Sequence, residues 1–384
     1  MKNKILQFLN ALKVKTAWYW QIITWPTLAV LILAILAGGS LGAFWLIASQ
    51  ATKQDILLAL NSGQKSIIKI LTETKSAVPS YYVRRQIDGV YVDPQTANNY
   101  PVAVMIDNDP NGRPPAGLAR ANVVYEAKAE SGITRYLAIF ADGQTLDKIG
   151  PVRSARPYYI DWAQGYNALY VHVGGSPEAL ARLQKEPTVN LNEFYQGNYF
   201  WRANNYAAPH NVFISSANIS KYLVKMNLSN GDYDGWLYKD EAELKARGAS
   251  GIAVNFSVYD FLAHWRYDKE KNEYARYLAG APHQDASLAD PRQTDGAPIV
   301  AKNVIIIKVS ARVIDSELRR KMDTIGSGKA WYCLDGGCNI GKWRKENKQS
   351  REKIYDEGGE EIKFNAGTTW IEVVQEEGQV AIQN

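Results

Sequence analysis

The sequence is poor in cysteine and histidine, and one long stretch near its start carries no charge at all. Two cysteines in 384 residues exclude a disulfide-rich scaffold and a four-cysteine zinc module alike. No acidic residue precedes Asp55, and the first 49 residues take all their charge from Lys2, Lys4, Lys13 and Lys15. Those lysines account for most of the net charge of +5, since the rest of the chain holds 40 basic against 39 acidic groups. A nucleic-acid binder needs a cationic stripe to displace condensed counterions, so a neutral body argues against that class of partner. There is no internal repeat and no low-complexity segment. At 46% hydrophobic and 22% charged residues, the body has the composition of a folded domain.

What is present begins with an apolar run. Nothing between Thr16 and Thr52 is charged, and residues 26–48 (PTLAVLILAILAGGSLGAFWLIA) are long enough to cross about 30 Å of hydrocarbon at about 1.5 Å per residue. Trp18, Tyr19, Trp20 and Trp25 crowd one end and Trp45 the other, as amphipathic rings do at the headgroups. The reading is a transmembrane helix acting as a signal anchor, because a cleaved signal peptide has a shorter apolar core. Lysines ahead of the span keep the amino terminus cytoplasmic and export the chain beyond it. No second apolar run of that length occurs, so the expectation is a single-pass cell-membrane protein. It comprises a cytoplasmic basic segment over 1–25, the span over 26–48, a stalk over 49–80 and an extracytoplasmic body.

Within the body the pattern changes to short β-type runs, VAVMI, NVVYEAKA, ITRYLAIF and ALYVHV, separated by Gly, Pro and Asn clusters. Helical stretches fall near 157–166, 177–184 and 217–226. From about Gly251 the chain is richer in strands: IAVNFSVY, the pair flanking the turn in WRYDKEKNEYARYL, NVIIIKVSARV and IKFNAGTTWIEVV. The fold class expected is mixed α/β (α+β), with an α/β first domain over 81–245 and a smaller β-rich second domain over 246–384.

Two motifs fail on inspection. Asp107-Asn108-Asp109-Pro110-Asn111-Gly112 copies the first half of a calcium-binding EF-hand loop, but Leu118 stands where the bidentate glutamate belongs. Residues 336–343 (GGCNIGKW) have phosphate-loop spacing, but Trp343 replaces the hydroxyl that holds Mg²⁺, which leaves a glycine-rich turn. Cys333 and Cys338 flank Leu-Asp-Gly-Gly between strand-like residues. His172, His210, His264 and His283 all lie far from them in sequence, so the pair reads as a hairpin disulfide or as two free thiols rather than a metal site.

The chemistry is concentrated between Tyr100 and Phe213. Asp107 follows one strand, Glu126 and Glu130 end another, and Arg135 opens a third; Arg153 and Arg156 then precede a helix that contains Asp161. His172 ends a strand that passes through Gly174 and Gly175 into Ser176-Pro177, a helix start with free N–H groups. Guanidinium forks beside such a start would bind phosphate or carboxylate. The alternative is that Ser176 merely caps the helix and the arginines pair with Asp161, Glu126 or Glu130. His210 follows an aromatic and amide-rich loop, NYFWRANNYAAPH, that suits a lid or a carbohydrate platform as well as a plain surface loop. No nucleophile elbow, zinc-helix motif or Ser-His-Asp triad is found, and no cofactor is implied by these residues.

The stretches DGVYV, PVAVMIDN, ANVVYEA, ESGITRYLAIF, KIGPVRSARPYYIDWA, HVGGSP and PHNVF resemble the YerB-like family of bacterial cell-envelope proteins. NVIIIKVSARVID, GSGKAWY, KWRK and YDEGGEEIKFNAGTTWIEVV extend the resemblance to the C-terminus. It implies a two-part domain of unknown function. Such proteins are typically lipoproteins, whereas this chain has no cysteine near its apolar run, where Gly38-Gly39-Ser40 stands. The order of strand, arginine loop, helix and Gly-Gly turn is also similar to LytR-CpsA-Psr phosphotransferases, which attach polyprenyl-pyrophosphate-linked glycopolymers to peptidoglycan. That similarity implies that Arg135, Arg153 and Arg156 grip pyrophosphate while Asp107 or Glu126 holds Mg²⁺, although Arg156 stands where an acidic residue would be expected. Three functions are compatible with these residues: an envelope protein binding a glycan or protein partner through its arginine face, such a transferase, and an envelope scaffold.

Overall fold

A computed structural model describes residues 81–141, 143–286, 296–376 and 379–383. The basic segment, span and stalk expected over 1–80 lie outside the described residues. Among those described, no helix is long and apolar enough to cross a membrane.

In chain order the elements that build the fold are strands β1 (Val102–Asp107), β2 (Val123–Lys128) and β3 (Thr134–Phe140), helix α1 (Pro157–Gln164), β4 (Leu169–His172), α2 (Pro177–Lys185) and β5 (Asn190–Asn192). Then come α3 (Glu193–Gln196), α4 (Ser216–Lys225), β6 (Gly251–Asn255), β7 (Leu262–Asp268) and β8 (Glu273–Leu278). The chain closes with β9 (Asn303–Lys308), β10 (Gly326–Leu334), β11 (Gly337–Lys345), β12 (Lys353–Tyr355), β13 (Thr369–Val374) and β14 (Val380–Gln383). β1 and β3 are buried at every residue, as near-continuous apolar runs are when both faces of a sheet are covered.

One ten-stranded sheet has the order β12-β11-β10-β9-β13-β2-β3-β1-β4-β5. β9, β13 and β2 run parallel, as do β1, β4 and β5, while β3 is antiparallel to both of its neighbours. The carboxyl ends of β1, β2, β4, β5, β9 and β13 therefore lie along one edge. Alternate side chains feed two cores. Ala103, Met105, Tyr125 and Leu137 meet Tyr159 and Trp162 of α1 and Ala179 of α2 on one face. Val104, Ile106, Val124 and Trp370 meet Ile252, Trp265 and Tyr274 of a second, six-stranded sheet on the other.

The two parts expected over 81–245 and 246–384 interleave in the main sheet. Five strands from residues 81–245 and five from 246–384 share the main sheet, with β13 inserted between β9 and β2. Pro79–Asn384 is accordingly one compact unit. A strand late in the sequence pairs where its backbone finds a parallel partner, and linear order does not reveal that. The glycine-rich turn expected over 336–343 is also shorter than its composition suggests. Only Asp335 and Gly336 take positive φ, and β10 and β11 pair closely across the turn, with Cys333 opposite Cys338 and the two forming a disulfide.

The two sheets are joined by charge. Arg276 of β8 points inward, in a row otherwise made of Tyr274 and Leu278, and is fully buried. It donates to Glu126 of β2 and lies 3.7 Å from Glu372 of β13, and these carboxylates are register partners on adjacent strands. Asn108 and Thr134 also donate to Glu126 at 3.1 and 2.6 Å, Trp265 donates to Glu372 at 2.8 Å, and Trp370 lies under the guanidinium at 4.7 Å. Arg276 donates in addition to His283 Nδ1 at 2.8 Å, and burial together with that cation pushes the imidazole well below its usual range.

Two carboxylates share one cation here. Burial and the Glu126 charge push the Glu372 carboxyl up to about 8. Unfolded, it titrates near ~4.3. Its contribution to stability is thus complete below that pH and is lost as the pH rises through about 8. Glu372→Gln keeps an acceptor for Trp265 and is expected to flatten this decline, measured as denaturant midpoints of the full chain in detergent from about pH 4 to about pH 8. Arg276→Leu strands both carboxylates in the core and is expected to cost about 3–5 kcal/mol in the same measurement.

Candidate ligand-binding site

Polar residues gather at the edge where the parallel strands end, the side on which open α/β sheets place ligands. β1 delivers Asp107, which is buried. His210 Nδ1 donates to Asp107 Oδ2 at 2.6 Å and Arg153 Nε lies 3.2 Å from the same oxygen, while the Asp109 N–H binds Oδ1 at 3.0 Å. Arg153 also donates to the Pro209 carbonyl at 3.0 Å, which ties the loop carrying His210 to the sheet. His210 Nε2 faces Asp109 at 3.9 Å, so both ring nitrogens address carboxylates. The arrangement holds charge and leaves no ring nitrogen directed at an open position.

A second cluster surrounds Glu130, just past β2. Arg156 donates to one of its oxygens and Arg135 lies 3.1 Å from the other. Burial would raise the Glu130 carboxyl, but the Arg156 hydrogen bond and the charges of Arg135 and Arg156 hold it below the usual range. Arg135 is itself buried, and desolvation and the neighbouring Arg156 lower its pKa against the pull of Glu130.

Ser176 is a cap. Its hydroxyl accepts the Ala179 N–H at 3.3 Å, and Pro177 fills the first turn of α2. That turn forms one wall of a cleft of about 160 Å³ whose other walls bring Arg156, Arg319 and Arg320 against Glu178 and Asp315. Asp315 accepts from Arg319 at 2.6 Å. Arg320 bonds only the neutral Gln375 amide, at 3.0 Å, and has no carboxylate partner among the described residues. Burial and the Arg320 charge lower the pKa of the Lys128 ammonium.

His172 is buried at the end of β4. Its Nδ1 donates to the Gly174 carbonyl at 2.7 Å, leaving Nε2 facing the Asn190 carboxamide at 3.3 Å. Burial lowers its pKa, against the pull of the two oxygens its ring nitrogens face. Gly174 takes φ +56, and a Cβ there would stand 2.7 Å from the Phe194 ring. Beyond His172 lies a cavity of about 230 Å³ lined by Gln184, Asn190, Asn192, Tyr195 and Gln196 over Leu180 and Leu183.

The site residues read from the sequence thus fall into three groups. Asp107, Arg153 and His210 come together, as do Glu130, Arg135 and Arg156, while His172, Gly174, Gly175 and Ser176 line the passage from β4 into α2. Glu126 and Asp161 join none of them. Glu126 faces the second sheet, and Asp161 on α1 accepts from Arg182 at 2.5 Å and Thr324 at 2.6 Å. Mg²⁺ does not fit the residues suggested for it. Asp107 is committed to His210 and Arg153, and Glu126 to Arg276. Among the described residues no three His, Cys, Asp or Glu side chains are placed to share an ion. Sequence reasoning missed Arg319 and Arg320, although the adjacent arginines of SELRRKMD were a signal, and it missed Gln184 and Tyr195. At the opposite edge, a cavity of about 300 Å³ between Val102, Phe140 and Leu223 has no ionisable side chain but Tyr100 among its described lining.

Comparison with known proteins agrees with this architecture. Residues 88–229 match the N-terminal domain, and residues 252–371 the C-terminal domain, of the DUF3048 protein of unknown function. YerB of Bacillus subtilis (strain 168), named as a candidate lipoprotein, is 30% identical over 308 residues, covering 79% of this chain and 90% of that one. The crystal structure of YerB superposes with a TM-score of 0.70 at 29% identity, covering 79% of this chain and all of the other.

The Glu130 cluster gives a pH signature of opposite sign to that of Glu372. A carboxylate held low contributes stability that is present above its unfolded pKa and lost as the pH falls through the folded one. Glu130→Gln is expected to cost about 2 kcal/mol at neutral pH. Denaturant midpoints should show that difference shrinking below about pH 4.

Proposed function

The chain belongs to the DUF3048, YerB-like family, and on that footing we propose that it is an extracytoplasmic cell-envelope protein that binds an acidic envelope glycan through its arginine cleft. Residues 26–48 hold it in the membrane in a single pass, with Lys2, Lys4, Lys13 and Lys15 on the cytoplasmic side. A protein anchor in place of a lipid is supported by the cysteines, since both in the sequence are consumed in the Cys333–Cys338 disulfide. YerB, named as a candidate lipoprotein, supports the same side of the membrane.

The observation that carries the reading is Arg320. In a body where most arginines already hold a carboxylate, this guanidinium meets only an amide and shares a cleft with Arg156, Arg319 and the start of α2. Guanidinium forks beside a positive helix end favour phosphate or carboxylate oxygens. The reading is of a binder rather than a transferase, because Asp107 and Glu126 are committed to internal partners.

The test is co-sedimentation of the detergent-solubilised full chain with cell walls, native or stripped of their anionic polymers. Retention is expected on native walls only, to weaken with salt, and to fall about tenfold for Arg320→Ala, the value of one charge-assisted contact. Equal retention on stripped walls would overturn the reading. So would an Arg320→Ala protein that binds normally and loses only thermal stability, the signature of a scaffold.

A further inference from the structure

The cavity beyond His172 has a different chemistry from the arginine cleft. Its polar lining is almost entirely carboxamide: Gln184 from α2, Asn190 and Asn192 from β5, and Gln196 from α3. Leu180 and Leu183 form an apolar floor. No carboxylate, lysine or arginine stands among its described lining. Tyr195 stands at its mouth with 75% of its surface exposed, beside Phe194 at 66%. Two large adjacent aromatics left in solvent are unusual for a body that buries most of its other rings.

Much of the hydrogen-bonding capacity of this lining is unused. Asn192 Oδ1 accepts the Gly174 and Phe194 N–H groups at 2.9 and 3.2 Å, and Gln196 Oε1 accepts the Asn192 N–H at 3.1 Å. These bonds fix both carboxamides through their oxygens and leave their NH₂ groups without an intramolecular partner among the described residues. The Gln184 carboxamide and the Tyr195 hydroxyl also make no hydrogen bond there. The cavity therefore presents fixed amide donors, one adaptable amide, an aromatic face and an apolar floor.

We infer that this cavity is a subsite for an uncharged N-acetylhexosamine unit of a glycan chain. The C–H face of a pyranose ring packs on Tyr195, ring hydroxyls and the acetamido carbonyl accept from Asn192 and Gln196, and the acetamido methyl meets Leu180 and Leu183. An anionic sugar would find no lysine or arginine to pair with there among the described lining. Helix α2 joins the two sites: its first turn walls the arginine cleft and its last turns supply Leu180, Leu183 and Gln184. One glycan running along α2 could place an acidic group at Arg320 and a neutral ring at Tyr195. The subsite does not depend on the cleft for its own chemistry.

The experiment is calorimetric titration of the full chain, held in a sugar-free polyoxyethylene detergent, with the neutral β-1,4-linked tetramer of N-acetylglucosamine. The glucose tetramer of the same linkage is the control. Saturable binding of the first is expected, with little or none of the second. Tyr195→Ala is expected to weaken it about tenfold and Gln184→Ala about fivefold, both at exposed positions where the fold is not at risk. Arg320→Ala should leave this affinity unchanged, which separates the subsite from the acidic-glycan reading. No saturable binding, equal binding of the glucose tetramer, or an affinity that Tyr195→Ala leaves intact would overturn the assignment.

Discussion

Strand β2 places two consecutive residues, Tyr125 and Glu126, on opposite faces of the main sheet, and each meets a buried arginine system. On one face Glu126 and Glu372 enclose Arg276, which reaches in from the second sheet. On the other Tyr125 donates to Glu352, whose neighbour Arg351 lies over the Trp236 ring at 3.3 Å and the Tyr166 ring at 4.5 Å. A guanidinium tolerates such burial because its charge is spread over a plane that stacks on aromatics, and at Arg276 its edge also meets carboxylates. Each system joins segments distant in sequence. Removing one partner costs more than the pair contributes, because it leaves an unpaired charge in the dry interior. This arrangement confines β2 to one register, since a shift by one residue would send the carboxylate toward Tyr166 and the phenol toward Arg276.

That register organises the functional edge. With β2 fixed, Lys128 and Glu130 emerge at its carboxyl end beside the start of β3, which brings Arg135 to Glu130. β1, antiparallel to β3, delivers Asp107 to the same edge. The loop bearing Arg153 and Arg156 then crosses between them, with the Arg153 N–H bound to the Met105 carbonyl at 3.0 Å and the Ala155 N–H to the Gly174 carbonyl at 3.0 Å. The arginines are positioned by backbone pairing before their side chains engage any carboxylate. This rigidity is what a binding site requires, because little side-chain or loop entropy remains to be lost when a ligand arrives.

Much of the local structure was legible. Pro157, Ser176-Pro177 and the apolar spacing of 217–226 announced the three longer helices, and the Val/Ile/Tyr runs announced the strands, because caps and periodicity are properties of neighbouring residues. The disulfide was half legible, as a pair of cysteines at hairpin spacing. Glu126 was not, since an acidic residue at a strand end looks the same whether it faces solvent or an arginine 150 residues away. The single sheet shared by both halves was hidden for the same reason. Arg320 could be seen in the sequence, but its distinction lies in the carboxylate partner it lacks among the described residues, and that is visible only once the charges around it have been placed.

The near-neutral body explains why this matters. With 40 basic and 39 acidic groups outside the first four lysines, overall charge offers no attraction to an anionic surface. Any such attraction must come from local imbalance. At the edge described above Asp107 holds Arg153 and Glu130 holds Arg135 and Arg156, while Asp315 holds Arg319, so the carboxylates are occupied in fixing arginines in place. Arg320 is left without a carboxylate among the described residues. A pre-organised scaffold of ion pairs around an uncommitted guanidinium gives a short-range, directional field rather than a long-range one. Ligands would be selected by whether an oxygen anion can reach that position along α2, and the amide-lined cavity at the other end of the same helix adds a requirement of shape to that requirement of charge.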